Sequence, residues 1–228
     1  MTPAARPGVV ILISGRGSNM QAIIEAANAG QLTADIRAVI SNNPDAPGLA
    51  HARAAGIATQ VVDHRRFKTR EEFDEALRAQ IDVYQPRLLV LAGFMRLLGK
   101  KFIAHYTDRI LNIHPALLPD FPGLNTHARA LQSGLSHHGA SVHFVTSDMD
   151  QGPIIIQAAV PIEPDDTVES LSARVLKEEH RIYPLAIGWF LDGRLSIHNG
   201  RVLLDGQARP EQNLPAPATE SPEGDRSQ

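Results

Sequence analysis

The chain has 228 residues, of which 43% are hydrophobic and 21% charged, with a formal net charge of -3 and no cysteine. That length suits one domain or a compact pair of lobes with a real core, and the composition is that of a soluble globular protein. The charge gives no general pull toward nucleic acid, and the lack of cysteine excludes disulfides, thiolate metal sites and a cysteine nucleophile. No stretch approaches the ~18 apolar residues of a membrane span, so a cytoplasmic protein with no membrane or nucleic-acid partner is expected.

Val9 to Ile13 is a continuous apolar run, as in a strand covered on both faces. Its Ser14-Gly15 break and the lack of a small-residue cleavage pattern argue against a signal peptide. A helical stretch follows from about Asn19 to Ala29, then strands at Ile36 to Ile40 and Gln60 to Val62. Thr69-Arg70-Glu71-Glu72 is a capping box for a helix with Phe73, Leu77, Ile81 and Tyr84 at helical spacing, stopped by Pro86. Leu88 to Ala92 and Arg109 to His114 continue the strands. This rhythm predicts an α/β fold with a mostly parallel twisted sheet and helices on both faces.

Residues 115 to 140 are rich in Pro, Gly, His and Asn, show no period, and read as a long functional loop. Val142 to Val145 and Ile154 to Val160 read as strands. Asp166-Thr167-Val168-Glu169 reads as a second capping box, opening a helix through Leu171 and Val175 toward Tyr183. A hairpin is expected from Arg194 to Leu204 around Asn199-Gly200. The polar, proline-containing tail, 210–228, is expected to be disordered, which leaves one domain over 1–209.

Ser14-Gly15-Arg16-Gly17-Ser18-Asn19 lies between the first strand and its helix. Glycines let an anion approach backbone N–H groups at a helix N-terminus, and Ser18 and Asn19 add donors. A dinucleotide fingerprint would need glycine where Met20 stands and an acid after the second strand, where Ser41-Asn42-Asn43 stands. No Gly-Lys-Ser/Thr follows at P-loop spacing. A lone phosphate group and a plain helix cap remain as the two readings.

Along a strand Asn112 and His114 point the same way, at the end where open α/β sheets place ligands. An amide donor beside an imidazole suits a developing oxyanion and a moving proton. An orienting acid would complete the set, and Asp150, before Gly152-Pro153, is the preferred candidate, with the effect of raising the histidine pKa. A structural His114, with Asp148 and Asp150 as turn formers, is the alternative. Metal chemistry finds no pattern: His-Glu-x-x-His is absent, His137 and His138 would point apart, and Asp148-x-Asp150-x-Gly152 lacks a calcium-loop glutamate.

The stretches VVILISGRGSNMQAII, LVLAGFMRLL, RILNIHPALLPDFPG, HGASVHFVTSDMDQGPII and EEHRIYPLAIGWFLDGRL together resemble the folate-dependent phosphoribosylglycinamide formyltransferases of purine synthesis, over about residues 8 to 207. The resemblance implies a Rossmann-like formyltransferase fold. It implies a phosphate-binding N-terminal half and a folate-binding, catalytic C-terminal half. The implied reaction carries the formyl group of 10-formyltetrahydrofolate to the amino group of 5-phosphoribosylglycinamide, with no metal, in a monomer or homodimer. It implies catalytic roles for Asn112, His114 and Asp150, with His114 protonated. Gly17, Ser18 and Asn19 would bind the substrate phosphate and Glu179 the sugar hydroxyls. Arg70, Met95, Arg96, Leu97 and Leu98, with Asn112, would line the folate site. Ala116, Asp120 and Asn125 depart from common family residues. A formyltetrahydrofolate hydrolase, a methionyl-tRNA formyltransferase and a non-catalytic sugar-phosphate binding protein are the competing readings.

Overall fold

The first apolar run has no solvent-facing side. In the computed structural model, which describes residues 6–209 and 212–215, β1 (Gly8–Ile13) is buried along its whole length. Val9, Ile11 and Ile13 enter one core and Val10 and Leu12 the other, as a two-residue period requires. β2 (Asp35–Ser41), β3 (Ala58–Val61), β4 (Leu88–Leu91) and β5 (Ile110–His114) join it in parallel. β6 (His137–Phe144) then runs antiparallel between β5 and β7 (Ile154–Pro161). With β10 (Asn213–Leu214) at one edge, the full order is β10-β7-β6-β5-β4-β1-β2-β3. The fold class is therefore the mostly parallel α/β sheet that the sequence predicts.

Helices cover both faces. α1 (Ser18–Asn28), α2 (Gly48–Ala54), α5 (Thr126–Ser133) and α6 (Val168–Leu191) bury Met20, Leu49, Ala130 and Val175 in the first core. α3 (Arg70–Asp82) and α4 (Lys100–His105) bury Phe73, Leu77 and Phe102 in the second. At the start of α3, Thr69 accepts from the Glu72 N–H and Glu72 reaches back, the expected capping box. At α6 the box is shifted by one residue from the expected position: Thr167 caps and Ser170 answers it. Asp166 instead takes a two-point ion pair with Arg174, 2.8 Å from each guanidinium nitrogen.

Three further expectations are corrected. The span from 115 to 140 is not one loop: it contains α5 and the first residues of β6, which begins at His137 rather than near Val142. α5 escapes a pattern search because its N-cap, Asn125, sits at φ 58° and makes no side-chain cap bond. The tail is not wholly without structure: β10 (Asn213–Leu214) pairs in parallel with Gln157 and Ala158. Positions 210, 211 and 216–228 lie outside the described residues. The Asn199-Gly200 hairpin is present as β8 (Leu195–His198) and β9 (Arg201–Leu204), a separate two-stranded sheet.

Candidate active site

The strand order β5-β4-β1-β2 reverses direction between β4 and β1, the point at which such sheets bind ligands beyond their carboxyl ends. The glycine loop follows β1, the Phe94–Leu98 segment follows β4, and Asn112 and His114 end β5. Leu12 pairs with Leu91 and Leu91 with Asn112 across this edge. The buried Tyr183 hydroxyl lies 2.9 Å from the Leu91 carbonyl oxygen and 3.0 Å from that of Leu111, and so clamps β4 to β5 from the α6 side.

Gly17 caps α1 at φ 74°, and a Cβ there would stand 3.2 Å from the Gly48 Cα. A side chain there would be strained by the backbone and would press on α2. Among the described residues no side chain caps the first N–H groups of α1, and the loop opens on a cleft of about 250 Å³ shared with Gly93 and Met95. The Asn19 side chain turns toward α6. Its Nδ2 is committed to Glu179 Oε2 at 2.6 Å, and its Oδ1 is buried with no partner among the described residues. Burial pushes the Glu179 carboxyl above its usual range against the opposing effect of the Asn19 bond. Both groups offer acceptor oxygens, which fit a ligand hydroxyl better than a phosphate.

Asn112, His114 and Asp150 converge. His114 Nδ1 is 3.5 Å from Asp150 Oδ2, and its Nε2 is 2.9 Å from the Phe121 carbonyl oxygen. Asp150 also accepts from the Gly123 N–H at 2.9 Å. The loop that delivers Asp150 lies tight against β6, because a Cβ at Gly152 would run into the Phe144 carbonyl oxygen. His143, across β6 from Asn112, accepts at Nε2 from Asn112 Nδ2 at 3.1 Å. His143 is not evident from the sequence, since only the antiparallel pairing of β5 with β6 sets it opposite Asn112. Phe121 and Gly123 are equally hidden, because they act through backbone atoms.

His114 has a pKa shift opposite in direction to the one expected from Asp150 alone. Both its partners are acceptors and favour a protonated ring, yet burial dominates and holds its pKa below the ordinary value. His143 and Arg129 push the same way, against the Phe121 carbonyl and Asp150. Asp150 is pushed up by burial, but the Gly123 N–H and the neighbouring histidines more than offset this and lower it overall. At 3.7 Å the His143–Asp150 contact is too long for a hydrogen bond, so the Gly123 N–H is the direct partner.

The residues after β4 divide. Phe94 is buried and Leu98 packs on the second core. Met95 and Leu97 are exposed, at 66% and 59%, beside an exposed Arg96. Ser14 Oγ accepts from the Met95 N–H at 2.7 Å and donates to Asn42 Oδ1 at 2.5 Å, tying this segment to the glycine loop. Arg70 lines a different cleft, of about 400 Å³, between α3 and α4. It adjoins the end of the same segment, where the Gly99 N–H donates to Asp74 at 2.7 Å. Ala116 is fully buried, and its carbonyl accepts from the Ser141 hydroxyl.

The profile of the formyl transferase family matches residues 8–187, and the chain belongs to that family. Within it, the phosphoribosylglycinamide formyltransferase of Escherichia coli (strain K12) is 51% identical over 208 residues, 91% of this chain and 98% of the relative. The solved phosphoribosylglycinamide formyltransferase of Coxiella burnetii, in complex with CHES, superposes with a TM-score of 0.87 at 51% identity, over 93% of this chain and all of that one. A formyltetrahydrofolate deformylase from Pseudomonas syringae pv. tomato shares the fold, with a TM-score of 0.82 at 24% identity, over 88% of this chain and 66% of that one.

Proposed function

We propose that this chain transfers the formyl group of 10-formyltetrahydrofolate to the amino group of 5-phosphoribosylglycinamide in purine biosynthesis. The observation that carries this reading is the convergence of Asn112, His114 and Asp150 at the sheet edge that also bears the glycine loop. The E. coli and C. burnetii relatives bear the corresponding name. Both substrates are small molecules, the enzyme acts in the cytoplasm as a monomer or homodimer, and no metal takes part.

The N–H groups that open α1, with Gly17 and Ser18, hold the phosphate. The sugar hydroxyls donate to Glu179 and to the unpartnered Asn19 Oδ1. Met95, Leu97 and the Leu98 backbone form one wall of the folate site, with Arg96 and Arg70 at its charged rim. In the reaction the amine nitrogen bonds to the formyl carbon, the carbonyl oxygen takes up negative charge, and the bond to the folate nitrogen then breaks. Asn112 donates to that oxygen through Nδ2. His114, neutral before the reaction, takes the amine proton and returns one to the leaving nitrogen. The ring is charged only in between, when Asp150 and the Phe121 carbonyl oxygen both favour it.

A formyl-transfer assay with 5-phosphoribosylglycinamide, run beside a hydrolysis assay without it, tests the proposal. Transfer is expected, with hydrolysis slow. His114→Ala should abolish transfer while the folded protein still binds the ribonucleotide. Efficient hydrolysis without transfer would favour the deformylase reading that the shared fold admits.

A further inference from the structure

His143 has no catalytic part assigned above, and it is almost wholly buried, 2% exposed. Its ring nitrogens meet partners of opposite kind. Nδ1 lies 2.9 Å from the Phe144 carbonyl oxygen, which can only accept. Nε2 lies 3.1 Å from Asn112 Nδ2, which can only donate. One neutral tautomer satisfies both, with the proton on Nδ1 and the lone pair on Nε2. Asp150, the other group facing Nε2, stands 3.7 Å away and does not compete for it.

We propose that His143 is a positioning residue for formyl transfer: its Nε2 lone pair holds one N–H of the Asn112 amide and so keeps the second N–H turned to the substrate oxygen. The proposal rests on the reaction assigned above. It follows from the two-fold character of an amide side chain. Asn112 can turn over about its last torsion at little cost when nothing distinguishes its nitrogen from its oxygen. Turned over, it would present Oδ1 to an oxygen that is becoming negative, and would repel the charge it has to stabilise. No other hydrogen bond of the Asn112 side chain is present among the described residues to prevent this. The Phe144 carbonyl oxygen fixes the His143 tautomer, the tautomer fixes the amide, and the amide faces the substrate. His143 touches only Asn112 in this sequence of contacts, never the reacting atoms.

A double-mutant cycle on kcat, combining Asn112→Ala with His143→Ala, tests the role, with thermal unfolding recorded for every variant. His143→Ala alone should lower kcat about 10- to 100-fold, with both KM values within a few-fold of the parent. In the Asn112→Ala background the same change should cost less than about 2-fold. His143→Gln, whose Oε1 accepts near the place of Nε2, should recover most of the lost rate. Equal losses from His143→Ala in both backgrounds would overturn the proposal. A 15N spectrum of the unmutated protein reads the tautomer without requiring any variant to fold. Protonated Nδ1 and unprotonated Nε2 are expected at neutral pH, and any other state of the ring also overturns it. A parent protein with this tautomer but no transfer activity would instead refute the reaction, leaving the contact in place.

Discussion

Asp150 reaches His114 from a backbone φ of 55°, a region that asparagine and aspartate enter more readily than other side chains but still at some cost. In the proposed reaction its carboxylate supports the imidazolium, and its charge raises the His114 pKa against burial. With neutral His114 as the proposed proton acceptor, kcat/KM should rise with pH through the His114 pKa, which burial holds below its ordinary value. Asp150→Asn removes the raising charge, so that acid limb should move to lower pH while kcat falls by at least about 100-fold. A pH–rate profile reads both, and a limb that stays in place would show that Asp150 does not act on the charge of His114. Strand alternation alone was enough to set Asn112 beside His114. The direction of the His114 pKa shift was not legible, because a nearby carboxylate can be inferred from sequence while the depth of burial that outweighs it cannot.

Among the elements, those with a side-chain signal were legible and those capped by backbone were not. Thr69 and Glu72 announce α3 in four letters, and the apolar runs announce β1, β4 and β5. α2, α4 and α5 span only seven, six and eight residues and have no side-chain cap bond, so neither period nor cap betrays them. The one-residue shift at α6 has a plain cause: Thr167 and Ser170 form the box because Asp166 is drawn to Arg174. Contacts between loops were likewise out of reach, and one of them bears on the proposed folate site. Ser14 Oγ holds the Met95 N–H, joining the loop after β1 to the segment after β4. Ser14→Ala frees that N–H and should raise KM for the formyl donor about 10-fold, well beyond its effect on KM for the ribonucleotide. Separate titrations of the two substrates check this, and equal changes in both would refute a role specific to the Met95 segment.

At the scale of the whole molecule, three histidines cluster behind the catalytic loop. His138 is 1% exposed, with its ring edge-on to those of Phe121 and His127 at 5.8 and 5.2 Å. Burial lowers the pKa of His114, His127 and His138, the last from 6.5 to about 4. Each binds its proton more weakly folded than unfolded, so the stability these groups contribute is complete above pH 6.5 and is lost as pH falls. For His138 that loss runs from pH 6.5 to about 4 and reaches roughly 3 kcal/mol. Thermal unfolding midpoints should therefore drop across this window, and His138→Leu should flatten part of the slope. An unchanged slope would mean that His138 takes up its proton in the fold as easily as in the unfolded chain. The far edge of the sheet has a consequence of another kind. Gln212 Nε2 donates to the Ile155 and Val202 carbonyl oxygens at 3.1 and 3.2 Å, pinning the two-residue β10 along β7. A second molecule seeking to extend the sheet there finds a strand too short to template it, and would first have to peel β10 away. Along β7, β10 thus leaves only two residues to which a further strand could pair.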